Sequence, residues 1–126
     1  MKDQPFLDKA EEAATAAEAL LDKNLFDSAA ARAYYAAFHA ARAALIDAGL
    51  SARDRAWTHE AIPGAFSQLT HRRKMYPAEL LKDLSLLRDT RLLADYESDR
   101  VSSKQARTVV ARARNFVNSV ATEIKR

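Results

Sequence analysis

The chain has no cysteine, and its 126 residues include only two glycines and three prolines. Without cysteine there can be no disulfide and no thiolate metal site, which fits a reducing compartment, and the expected location is cytoplasmic. So little glycine and proline leaves few turns. Alanine, leucine, arginine and glutamate fill the remainder, a composition of long helices and short connections. Long uncharged runs are also missing: no window of about 18 residues is free of charge, so no membrane span is expected. The N-terminus, MKDQPFLDKAEEAATAAEALL, is polar and acidic and lacks the basic-then-apolar pattern of a signal peptide. There is no Gly-rich phosphate loop. The three histidines do not fall at metal-ligand spacing, so neither a metal nor another cofactor is expected. A net charge of +3 permits a phosphate-bearing partner without demanding one. The length fits one domain, residues 1–126.

Apolar periodicity divides the chain into helices. The first is expected over Pro5–Asp22, with proline in its opening turn and Asn24 in the break that follows. The second starts near Asp27 or Ser28, both good caps, and runs to about Ala48, with Gly49 as its stop. Leu50–Trp57 reads as a polar connection. Thr58 is a plausible cap for a third helix over His59–Leu69, where Pro63 and Gly64 indicate a kink or a late start. His71-Arg72-Arg73-Lys74 reads as a basic loop that could touch phosphates or simply be solvated. The fourth helix begins near Pro77 and carries Leu80, Leu81, Leu84, Leu87, Leu92 and Leu93 as far as Tyr96. Ser102-x-x-Gln105 is a capping-box pattern opening the fifth. The expected fold is all-α: an up-and-down bundle of four long helices plus a short helix.

The second helix carries the chemistry. Its core reads DSAAARAYYAAFHAARAAL, and its alanines favour helix strongly. Seven residues separate Arg32 from His39. At about 100° and 1.5 Å per residue they share nearly one azimuth, about 10 Å apart along the axis. With Arg32 at zero, Ser28 falls near about −40°, Tyr35 about −60°, His39 about −20° and Arg42 about −80°. The opposite side holds Ala30, Tyr34, Ala37, Phe38, Ala41 and Leu45, a core-facing set. The polar stripe contains tyrosine, histidine and two arginines but no acid, so it would attract anions. A guanidinium offers a fork of donors to phosphate, and imidazole titrates near neutral pH. An exposed helix face with incidental Arg and His fits the same spacing. The short alanine side chains place this helix at the centre of the bundle or at a tight subunit contact.

ARAYYAAFHAARAAL resembles the signature helix of HEPN domains, more narrowly their short stand-alone prokaryotic members. Asp27-Ser28, Thr58-His59-Glu60 with Phe66, Arg91, Ala94-Asp95-Tyr96, and Ala113 with Phe116-Val117 agree in order and spacing, so the resemblance covers nearly the whole chain. It implies a metal-independent ribonuclease site, here Arg32-x6-His39, completed by a second copy across a homodimer cleft. The implied reaction is attack by the RNA 2′-OH on the adjacent phosphate, with His39 as general base or acid and Arg32 stabilising charge on the phosphate oxygens. It also implies RNA or nucleotide as ligand and a small nucleotidyltransferase antitoxin as partner. A non-catalytic binding module of such a pair and a structural helical dimer are the alternatives. Many active members have a polar residue directly after the arginine, where Ala33 stands here. Some carry a modifiable tyrosine two residues after the histidine, where Ala41 stands.

Ser28, Tyr35 and Arg42 are expected to bind ligand beside Arg32 and His39. His59 could line the same cleft or pack on Trp57 as a cap-adjacent residue. Asp95 could orient Arg32 or another arginine, or serve only as a helix-end contact.

Overall fold

The computed structural model describes residues 3–50 and 58–125; the expected Leu50–Trp57 connection and any packing on Trp57 fall almost wholly outside them. Five helices follow in order: α1 (Gln4–Asp22), α2 (Phe26–Asp47), α3 (Ala61–Ser67), α4 (Ala78–Tyr96) and α5 (Ser103–Ile124). The fold is the expected all-α bundle of four long helices and one short one, and the described residues contain no strand. Among the described residues no helix is long and apolar enough to cross a membrane.

The helix ends follow the local chemistry. Asn24, at φ 62°, closes α1: its N–H donates to the Leu21 carbonyl, and the Leu25 N–H donates to Leu20. Gly49, at φ 79°, closes α2 in the same way, through Gly49 to Ile46 and Leu50 to Leu45. Both are Schellman endings, where a left-handed residue satisfies the last carbonyls. Ser102 and Gln105 form the reciprocal capping box that opens α5. Thr58 Oγ1 accepts from the Ala61 N–H at 3.1 Å, so Thr58 does serve the start of α3, but the helix begins at Ala61 rather than His59. Pro63 then falls in the first turn, where a missing N–H costs nothing.

Three expectations change. Neither Asp27 nor Ser28 caps α2 through its side chain; the Asp27 carboxylate accepts from the Val101 N–H at 2.8 Å and ties the start of α2 to the α4–α5 connection. The basic run is not all loop: α3 continues into one π turn over Gln68–Arg72 that takes in His71 and Arg72. On α4, Leu92 faces outward, whereas Asp83 is buried and pairs with Arg112 at 2.6 Å.

Helix α2 lies at the centre, in contact with α1, α4 and α5. Nine of its alanines (29, 30, 33, 36, 37, 40, 41, 43 and 44) are 0% exposed. A methyl group is all that fits between helix backbones approaching this closely. Ala37→Leu is therefore expected to cost about 1–3 kcal/mol by overpacking. The same change at exposed Ala111 on α5 should be near neutral. Urea unfolding of the two variants compares them directly.

Candidate functional site

Burial selects the accessible face of α2. Between Ser28 and Arg42, the side chains not buried are Ser28, Ala31, Arg32, Tyr35, His39 and Arg42. That set is the polar stripe read from the sequence, with Ala31 added. Arg32 is exposed and has no ion-pair partner among the described residues; its guanidinium sits 5.2 Å from the centre of the Tyr35 ring. Tyr35 in turn lies 6.4 Å from the His39 ring. One aromatic ring thus spans the space between the guanidinium and the imidazole.

His39 is half-buried. Phe6 of α1 stacks on it at 6.4 Å and Phe38 meets it edge-on at 5.7 Å. Its Nδ1 is buried without a hydrogen-bond partner. Burial, reinforced by the positive charges of Arg42, Lys9 and Arg32, lowers its pKa from 6.5 to about 4. The imidazole is therefore neutral at pH 7. The near-neutral titration expected of a free histidine does not hold here, because the surroundings penalise the charged form.

Arg42 lies on the predicted stripe and packs against the aromatic rings of α1 and α2. Its guanidinium carbon lies over Phe6, 4.1 Å from the ring centre, and 5.7 Å from that of Phe38, with Nε buried and unpartnered. The sequence of α2 gives no sign of this, because the covering ring comes from α1. Arg42 acts on the site through its charge, by lowering the His39 pKa.

The other half of the cluster comes from α3 and α4. His59, in the turn just before α3, stacks on Phe38 at 4.4 Å and lies 5.9 Å from Tyr35. Its Nδ1 is 2.7 Å from the Tyr34 hydroxyl. Tyr34 belongs to the core-facing set, and its ring is buried, yet its hydroxyl reaches the cluster. Arg91 of α4 donates to the Tyr35 hydroxyl at 3.1 Å and pairs with Asp95 at 3.0 Å, at an angle short of a hydrogen bond. The Arg91 guanidinium also lies within 5.6 Å of the Tyr34, Tyr35 and Tyr96 ring centres. Asp95 thus orients Arg91, not Arg32. Arg91 was visible in the sequence only as a position shared with the HEPN pattern; its place at the hub follows from α4 crossing α2.

Beside Arg32 opens a recess of about 460 Å³ that Ser28, Asp95, Asp27 and Ala94 also line. Two of the candidate site residues, Ser28 and Asp95, therefore border the same space as Arg32. The basic run His71–Lys74 is not brought to this cluster. Arg73 donates to the Ala48 carbonyl at 2.9 Å, at the far end of α2. Among the described residues no group of histidine or carboxylate side chains could hold a metal ion.

The arrangement combines fixed positive charge with neutral imidazoles. His59 is shifted down like His39, chiefly by burial and then by Arg91. Such histidines bind protons more readily in the unfolded chain than in the folded one. Stability should therefore fall as pH drops below about 6.5 and level off once His39 is protonated near 4. His39→Leu should flatten that decline, measured as urea midpoints from pH 7.5 to 4.5.

A model of the HEPN domain matches residues 4–124 of the chain. A protein of Methanocaldococcus jannaschii named as a candidate toxin is 30% identical over 122 residues, 97% of this chain and 88% of that protein. A UPF0332 protein of Gloeobacter violaceus is 31% identical over 116 residues, 90% of this chain and 89% of that protein. With the helical bundle and the α2 stripe in place, these matches identify the chain as a member of the HEPN domain family.

Proposed function

We propose that the chain is a metal-independent endoribonuclease, the toxin of a paired system, working as a homodimer in the cytoplasm. Two copies of Arg32 and His39 form its cleft, and a small nucleotidyltransferase serves as its antitoxin. The observation that carries this reading is the pairing of an exposed, unpaired Arg32 with a His39 held neutral, one tyrosine ring apart. A general base must be unprotonated to act, and His39 meets that requirement throughout the physiological range.

The step needs no outside nucleophile. His39 takes the proton of the RNA 2′-OH, O2′ bonds to phosphorus, and the P–O5′ bond breaks to leave a 2′,3′-cyclic phosphate. The imidazole of the second copy returns a proton to O5′. The phosphate charge favours its protonated form, offsetting burial. Arg32 faces the phosphate oxygens as negative charge builds on them. Arg91 holds the Tyr35 ring that separates base from guanidinium. The name borne by the M. jannaschii relative agrees with a toxin. A second reading, a non-catalytic nucleotide-binding module, draws on the recess beside Arg32, which has room for a nucleobase or ribose.

Purified protein incubated with RNA in EDTA should leave 2′,3′-cyclic phosphate ends. Arg32→Ala and His39→Ala should each lower the cleavage rate by about 10²-fold or more. Binding without cleavage in the unaltered chain favours the second reading. The acid limb of kcat/KM should break near 4 rather than near 6.5; an acid limb that breaks near neutrality would mean that His39 is not the base.

A further inference from the structure

We propose that Tyr34 locks His59 in the tautomer with its proton on Nε2, making it a neutral hydrogen-bond donor to the phosphate group of the substrate. The donor's target rests on the nuclease reading above; the lock does not.

The argument starts from the buried phenol. The Tyr34 hydroxyl lies 2.7 Å from His59 Nδ1 and has no other hydrogen-bond partner among the described residues. Two arrangements fit that distance. If Nδ1–H donated to the phenol oxygen, the phenol's own proton would be buried without an acceptor, the costlier failure. If the phenol donates to the Nδ1 lone pair, both groups are satisfied and the ring's one proton sits on Nε2. Burial also raises the Tyr34 pKa, so the phenol keeps its proton to donate. Protonating His59 would put hydrogens on both nitrogens and orphan the Tyr34 proton again. Arg91, Arg88 and Arg42 oppose that charge, and Glu60 alone favours it.

The ring is also fixed in space. Phe38 stacks on one face at 4.4 Å, with the Tyr34 ring centre at 5.4 Å. Nε2 is not among the buried unpartnered atoms and makes no hydrogen bond among the described residues, so it remains for a ligand. The Tyr35 ring lies 5.9 Å from the His59 ring, and the charge of Arg91 acts on His59. A neutral donor suits this setting: it adds an N–H to a site crowded with guanidinium charge without adding repulsion.

The lock also separates the two histidines by role. For His59 to give up its Nε2 proton, Tyr34 would have to pass its own to Nδ1 and become a phenolate in a buried site. His59 is therefore a poor proton donor to a leaving group and a good fixed donor to an oxyanion. His39, with no phenol on its nitrogen, is left to move protons.

Two measurements test this on the full chain. Imidazole ¹⁵N NMR should show His59 with its proton on Nε2 and a pKa below 6.5; Tyr34→Phe should raise that pKa and mix the tautomers. A proton on Nδ1, or titration at or above 6.5 in the unaltered chain, overturns the lock. In single-turnover RNA cleavage, His59→Ala should cost about 10²-fold. His59→Gln, whose amide nitrogen can stand near the Nε2 position, should recover most of it, and His59→Asn should not. Equal losses in the Gln and Ala variants overturn the donor role. If Arg32→Ala and His39→Ala also leave RNA processing unchanged, the nuclease reading fails and takes the proposed phosphate target with it, while the NMR result still decides the lock.

Discussion

Everything in this fold depends on how tightly α2 is enclosed. Its alanines let α1, α4 and α5 approach so closely that a larger side chain has nowhere to go, and nine positions lose all contact with water. Only one arc stays partly open, and it carries Ser28, Arg32, Tyr35, His39 and Arg42. The same packing that stabilises the bundle therefore decides which polar groups can meet a ligand. It also sets their surroundings: half-buried imidazoles beside arginines, held in a medium that resists charge.

That medium divides the work by residue type. Guanidinium groups keep their charge under nearly any burial, whereas an imidazole surrendering part of its hydration gives up its proton instead. The site then holds permanent cations at Arg32 and Arg91 and uncharged nitrogen at His39 and His59. Only Asp95 forms an ion pair with a cluster arginine among the described residues, while Arg32 shares its recess with Asp27 and Asp95 without pairing to either.

The part of this legible in the sequence was the part that one rigid helix determines. Helical arithmetic on α2 placed Arg32, Tyr35 and His39 together, because a helix without glycine or proline keeps its pitch. The Gly49 stop, the Ser102–Gln105 box and the four long helices were legible for the same reason: their causes lie within a few residues. What depended on a second element was not. Arg42 shares the stripe but packs on Phe6, which comes from α1. Tyr34 belongs to the core by azimuth, yet a phenol is long enough to reach past the core to His59. Asp95 finds Arg91 one turn back on its own helix rather than Arg32 across the gap. Asp83, in a leucine-rich stripe, is buried because Arg112 arrives from α5.

Two positions where the chain departs from the HEPN pattern are explained by the same enclosure. Ala33 and Ala41, the two departures noted in the sequence, are both 0% exposed. A polar side chain at 33 would be buried in the α2 packing and would need a partner there. A tyrosine at 41 would need a volume that the neighbouring helices occupy. The chain instead places its phenols one and two residues beyond Ala33. Tyr35 lies under Arg32 and accepts from Arg91, and Tyr34 bonds His59. Both phenols reach past the alanine layer on longer arms, while the methyl at 33 stays in the core. The cost is that these arms must be aimed from outside α2. The hydroxyls keep their partners only while α4 and the start of α3 hold Arg91 and His59 against them, so these hydrogen bonds and the docking of those two elements cannot be altered separately.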